Sequence, residues 1–276
     1  MNGVLIVNKE KGYTSRDVVN IVSKELNTKK IGHTGTLDPI AEGVLVLTIG
    51  KATKLGEVLT SNEKEYIATV ERGILTDTLD TTGNIIETSK IKKIDLENLV
   101  RSFEKTYMQE VPKFSAVKVN GKKLYEYARN NEEVELPKKE VTIKSIQLLN
   151  DNPFTFKCTV SKGTYIRSLI RDMGKSINEC FTMSSLIRTK QGKFSIDNSY
   201  TLDDIKKGNY KVLSIEEILD NLEIVIADNE LLKKITNGVK LDNDYNKEFV
   251  LFKNKAGNKI AIYRKENDCF KMYIML

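Results

Sequence analysis

The stretch Ile31 to Gly43, IGHTGTLDPIAEG, holds the residues whose types and spacing are best suited to chemistry. It contains His33, the single histidine among 276 residues, set between Gly32 and Gly35, and then Asp38, followed directly by Pro39. Proline biases the residue before it away from right-handed helix, so Asp38 is expected on a stiff, extended loop. The flanking glycines let other backbone or a ligand come close. By spacing alone the stretch offers a histidine–aspartate pair or a carboxylate working by itself. It equally suits an ordinary turn, since Asp-Pro and Gly-x-x-Gly are both common turn chemistry.

Most alternative chemistries fail at their first requirement. One histidine rules out His-Glu-x-x-His metal sites, and the lack of a Cys-x-x-Cys pair rules out the zinc-deaminase pattern. Gly50-Lys51 is not a phosphate-binding P-loop, because Leu45 stands where glycine is needed and Ala52 where serine or threonine is needed. Cys158, Cys180 and Cys269 are scattered, with neither disulfide nor zinc spacing. No metal is therefore expected, a carboxylate is the expected centre of any enzyme chemistry, and a reduced, cytoplasmic setting fits. The opening MNGVLIVNKEKG has an apolar run of only Val4 to Val7, too short for a signal peptide or membrane span.

The elements that must position this stretch are legible on either side of it. GVLIVNK reads as a buried strand, Thr14 to Asp17 as a capping box, and Val18, Ile21, Val22 and Leu26 as one face of the following helix. Residues 44–50 and Lys64 to Val70 read as strands, Ala52 to Thr60 as a short helix, and ERGILTDTLDTTG as a turn-rich loop. Asp95 to Tyr107 reads as an amphipathic helix, Asn120-Gly121 as a hairpin turn with a short basic helix behind it, and Val141 to Leu149 with Phe154 to Val160 as an antiparallel pair. Thr164 to Gly174 reads as a helix. From about residue 223 a short helix and several tightly connected strands suggest a small β-rich appendage. The expected fold class is α+β, a mostly antiparallel mixed sheet flanked by helices, with a boundary between 1–222 and 223–276.

The formal net charge of +6 is modest for this length. Its distribution is less even: seven Lys/Arg stand between Lys162 and Lys193 (162, 167, 171, 175, 188, 190, 193) against Asp172 and Glu179, a run suited to a polyanion or to a plain solvated face. Tyr66, Arg167, Asp77 and Asp80 each have an ordinary structural use when taken singly.

Seven segments taken together resemble the bacterial tRNA pseudouridine-55 synthases, the TruB family. In order they are NKEKGYTS (8–15), KIGHTGTLDPIAEGVLVLTIGKATK (30–54), KEYIATV (64–70), TDTLDTTG (76–83), VPKFSAVKVNGKKLYEYAR (111–129), KGTYIRSLIRDMG (162–174) and LIRTKQGKF (186–194). One departure is Lys9-Glu10-Lys11-Gly12 where the family commonly has Lys-Pro-x-Gly, which should loosen that loop slightly. The resemblance implies a pseudouridine synthase core with a short C-terminal domain similar to the RNA-binding PUA fold, and a base-flipping isomerisation of a T-arm uridine of tRNA to pseudouridine without cofactor. It implies Asp38 as nucleophile, acting at the sugar C1′, by deprotonating C2′, or on the base. It further implies Arg167 as the paired cation, Tyr66 as a stacking and proton-transfer group, Leu186 against the uracil, and His33, Lys9 and Tyr165 as substrate-contacting residues. The implied partner is the tRNA T-arm stem-loop, with no membrane, no obligatory protein partner and a monomeric enzyme. Assistance of tRNA folding, or another structured RNA as substrate, remains compatible with the same segments.

Overall fold

The structure is a computed structural model and describes residues 1–60, 63–219 and 221–276. Its main sheet runs in the spatial order Gly3–Lys9, Glu42–Ile49, Phe181–Gln191, Lys64–Arg72, Phe154–Val160, Lys138–Asp151, Thr106–Glu110. Every neighbouring pair on this path is antiparallel except one: Phe181–Gln191 meets Glu42–Ile49 in parallel at Ile187 opposite Glu42 and Arg188 opposite Gly43. The α+β, mostly antiparallel expectation therefore holds. No helix among the described residues is long and apolar enough to cross a membrane.

Alternation decides the faces. In Lys64–Arg72 the inward set Tyr66, Ala68 and Val70 joins Phe154, Phe156, Cys158 and Leu186 in one core, which the helices Leu96–Arg101 and Ile166–Ser176 cover. Two strands buried on both faces, Gly3–Lys9 and Glu42–Ile49, are almost wholly apolar and pack on one side against Val18, Val19 and Val22 of the helix Ser15–Glu25. That helix starts as its sequence predicts: Thr14 Oγ1 accepts from the Asp17 N–H at 3.1 Å, and Asp17 Oδ2 accepts from the Thr14 N–H at 2.8 Å. On the other side, Val4, Ile6, Val44 and Val46 pack with Phe249, Leu251, Ile262 and Ile274 of a five-stranded C-terminal sheet. This sheet opens with the strand Leu222–Ile226.

Three expectations need correction. The helix expected over Asp95 to Tyr107 stops at Arg101; Thr106–Glu110 is instead the edge strand of the sheet, paired with Lys138 to Thr142, because β-forming Thr106 and Tyr107 find a ladder partner that local periodicity cannot reveal. The loop expected over 71–83 contains a strand, Ile74–Thr76, that pairs with Ile85–Thr88. Helix in 52–60 is 3-10 through Leu55 and α only from Gly56. The Asn120-Gly121 hairpin is as read, with φ of 51° and 82° at the two turn residues.

The basic run is corrected too. Of its seven cations, Arg167, Arg171 and Arg188 are buried, and only the four lysines 162, 175, 190 and 193 are exposed. Arginine forks are spent internally on carboxylates and carbonyls, which their planar donor geometry suits.

At the parallel crossing the backbones nearly touch. A Cβ on Gly43, whose φ is +99°, would lie 2.3 Å from the Arg188 carbonyl oxygen. Gly43→Ala is therefore expected to destabilise the protein by about 3 kcal/mol or more, combining left-handed strain with a backbone clash, and thermal unfolding would measure it.

Candidate active site

The loop carrying Asp38 lies between Ile31–His33 and Glu42–Ile49, and buried polar side chains from three directions hold it. Ser15, in the first turn of its helix, accepts from the Leu37 N–H at 2.8 Å and donates to the Leu37 carbonyl at 3.1 Å. Lys9 is fully buried, and its ammonium donates to the carbonyls of Tyr13 at 2.7 Å, Glu10 at 3.0 Å and Pro39 at 3.5 Å. Burial lowers the Lys9 ammonium to about 8, while Glu42 and Asp38 pull it back up. Arg188 donates from Nε to the Val44 carbonyl at 2.7 Å and from Nη2 to the Gly35 carbonyl at 3.1 Å. Gln191 donates to Thr34 Oγ1 at 2.6 Å. The Gly12 N–H also reaches the Pro39 carbonyl at 2.8 Å, tying the turn after Lys9 to the Asp38 loop.

Arg167 comes from the first turn of Ile166–Ser176 and grips the aspartate with two bonds. Its Nε lies 2.9 Å from Asp38 Oδ2, and its Nη2 donates to Asp38 Oδ1 at 3.2 Å. The guanidinium is itself fixed, since Nη1 donates to the Thr78 carbonyl at 2.9 Å and Nη2 to the Phe114 carbonyl at 3.0 Å. Behind it stands Asp80, 5% exposed and 3.9 Å from Nη1, with its Oδ1 held by Thr78 Oγ1 at 2.9 Å and the Thr82 N–H at 3.0 Å. Burial pushes the Asp38 carboxyl above its ordinary value; Arg167 opposes that, Asp80 adds to it and Lys9 opposes it again. The side chain nonetheless keeps 35% of its surface accessible, so it sits deep yet can be reached.

Tyr66 and Leu186 lie on adjacent strands, with Leu186 paired to Ala68 and Tyr66 to Arg188. Both are buried in the core that also contains Leu37, Ile40 and Ile166, the neighbours of Asp38 and Arg167 in sequence. Tyr165 caps the Arg167 helix through its extended backbone, and burial raises its phenol, with Ser115, Arg167 and Asp38 acting on it in turn. His33 is half-buried on its short strand; burial, then Arg16 and Arg188, hold its imidazole below its ordinary value, so it is neutral at pH 7. No hydrogen bond or ion pair joins it to Asp38 among the described residues, where Arg167 takes that place.

Sequence reasoning alone left out Ser15, Asp80, Arg188 and Gln191. Asp80 was visible in TDTLDTTG, but local spacing assigns such an aspartate to a turn, which it also forms. Ser15 and Gln191 lie inside two of the resembling segments without a role of their own, and Arg188 reads only as one cation of the basic run.

Among solved structures, the fold is shared with a chain of an H/ACA RNP bound to a substrate RNA containing 2′-deoxyuridine, at a TM-score of 0.67 and 22% identity over 99% of this chain and 83% of that one. A chain of a Cbf5–Nop10–Gar1 complex gives 0.68 at 22% identity, over 99% and 84%. The class is that of the pseudouridylate synthases: residues 23–166 match the model described as TruB family pseudouridylate synthase, N-terminal domain. More narrowly, the chain belongs to the TruB family. It is 40% identical to tRNA pseudouridine synthase B of Bacillus subtilis, over 99% of this chain and 93% of that protein. It is 44% identical to the protein of the same name from Caldanaerobacter subterraneus subsp. tengcongensis, over 92% and 90%.

Proposed function

We propose that this protein isomerises one uridine in the T-arm loop of tRNA, position 55, to pseudouridine. The relatives' shared name supports tRNA as the substrate, and the buried Asp38–Arg167 pair is the single observation that carries the chemistry. The reaction breaks the N1–C1′ bond, rotates the base, forms a C5–C1′ bond, and moves one proton from C5 to N1. Nothing is oxidised or reduced, so no cofactor is required.

Asp38, whose ionised form Arg167 favours against the opposing effect of burial, is the nucleophile that permits the glycosidic bond to break. Tyr66 stacks on the uracil and serves the proton transfer at C5, and Leu186 packs on the base. The target atoms lie inside a folded loop, so the nucleotide must be flipped out. His33, neutral and aromatic, fills space the base vacates, with Tyr165 along the wall and Lys9 holding the loop from beneath. Residues 1–222 form the catalytic domain, and 223–276 a short PUA-like module that adds RNA contacts, in a cytoplasmic monomer needing no protein partner.

The experiment is to incubate the protein with an unmodified tRNA transcript and map pseudouridine by reverse-transcription stops after carbodiimide treatment. One new stop at the T-loop uridine is expected; none, or stops scattered over several uridines, would remove the reading. His33→Ala should weaken productive binding by about 10-fold while turnover stays measurable, because losing one base–aromatic stack costs about 1–3 kcal/mol.

A further inference from the structure

The edge strand Thr106–Glu110 breaks the inward-apolar rule in a telling way. Met108 points outward at 56% exposure, whereas Gln109 points inward at 1%. Burying a carboxamide is unfavourable unless its polar atoms are paired. Here they are: Gln109 Oε1 accepts from the Tyr165 N–H at 2.8 Å, and Nε2 donates to the Tyr165 carbonyl at 3.2 Å and to the Tyr107 hydroxyl at 2.9 Å. The Tyr107 hydroxyl then donates to Asp172 Oδ2 at 3.2 Å, and Arg171 fixes Asp172 from Nε at 3.0 Å and Nη2 at 2.9 Å. The amide thus has one permitted orientation.

Tyr165 is the N-cap of the helix Ile166–Ser176, and its own side chain makes no capping bond. Gln109 satisfies that backbone from a strand 56 residues away. Two residues further on is Arg167, whose fork must meet Asp38 from a helix start with no internal cap.

We infer that Gln109 is a positioning residue of the active site: its amide clamps both backbone groups of Tyr165 and so sets where the Tyr165 ring and the Arg167 guanidinium stand relative to Asp38. The inference rests on the isomerase reading above. Displacement of the pair by a fraction of an ångström is what the clamp prevents.

The test uses Gln109→Met, which keeps the volume and removes all three bonds, and Gln109→Glu, which keeps the acceptor for the Tyr165 N–H. Single-turnover rates on tRNA transcript are expected to fall by about 10²-fold in Gln109→Met and by less in Gln109→Glu, with tRNA affinity unchanged in both. The acid limb of the rate should also move to higher pH in Gln109→Met, since Asp38 faces Arg167, Asp80 and Lys9 and a looser Arg167 opposes its protonation less. A packing role would rank Met at or above Glu and leave that limb in place. Rates in Gln109→Met within threefold of wild type, or a loss confined to tRNA affinity, would overturn the inference. Should Gln109→Met not fold, Tyr107→Phe removes the hydroxyl that orients the amide; a rate loss with a raised acid limb is expected, and an unchanged rate and limb would overturn it. Wild type assayed alongside keeps the two readings apart: no product from wild type removes the isomerase itself, whereas normal product from wild type and Gln109→Met alike removes only the clamp.

Discussion

Asp38→Asn is expected to bind tRNA and form no measurable pseudouridine, a loss of about 10⁴-fold or more, the scale on which enzymes lose turnover when a nucleophile is removed. Asparagine keeps the shape and one oxygen to accept from Arg167, so the loop and its clamps stay in place. What disappears is the negative charge on which the proposed mechanism depends. The sign of the stability change makes this prediction distinctive. Because the Asp38 carboxyl is held above its ordinary value, the folded state binds its proton more tightly than the unfolded chain does. The group's contribution to stability is therefore fully present at acid pH and is lost as pH rises from the ordinary value through the folded one. Wild type is therefore expected to lose some thermal stability as pH rises through that range, a loss that Asp38→Asn, which has no carboxyl there to titrate, should not show. Loss of turnover in a protein that still folds and binds tRNA is the signature of a residue retained for chemistry. Residual turnover within tenfold of wild type would take the nucleophile's role from Asp38.

Arg167→Lys is expected to lower the single-turnover rate by about 10²-fold or more, since a small misplacement of the reacting group is enough for that. Lysine keeps the charge but not the fork, and the four bonds of Arg167, two to Asp38 and one each to the Thr78 and Phe114 carbonyls, come from a planar group with fixed angles. Arg167→Met goes further and leaves Asp38 and Asp80 facing each other without a cation. Arg167 is the largest influence opposing the rise at Asp38, so its removal should move the acid limb of the pH–rate profile upward. Activity would then recover in part at alkaline pH. Removing one partner of a buried ion pair costs about 3–5 kcal/mol in favourable cases, and the partial exposure of Asp38 places the expected loss at or below the lower end. Thermal unfolding and the pH–rate profile measure the two effects separately.

Much of the main sheet was legible because its strands carry their own period. Gly3–Lys9, Glu42–Ile49 and Lys64–Arg72 are rich in β-branched residues, and the capping box at Thr14 is a local contract between residues three apart. Legibility failed where a partner far along the chain decided the outcome. Phe103 and Tyr107 sit at helical spacing, yet Tyr107 is in a strand because Val141 offers it a ladder position. Arg171 reads as one more surface cation, yet it is buried against Glu110 and Asp172. Gln109 carries no local signal, because nothing in its neighbourhood announces the backbone of Tyr165.

Taken by itself, the sequence determined the inventory and its local posture: a lone imidazole, an aspartate stiffened by the proline after it, a tyrosine on the inward face of a strand, and an arginine at the start of a helix. It also determined which face of each element is apolar, since side-chain period follows from backbone geometry alone. Only the tertiary structure decided which charges meet. Asp38 and Arg167 are 129 residues apart, and Asp80, Thr78 and Phe114 complete the arginine's shell from two further loops. The physical reason is that pairing across such separations depends on strand order and register, which are settled by the packing of the whole sheet, whereas periodicity states only which way a side chain points.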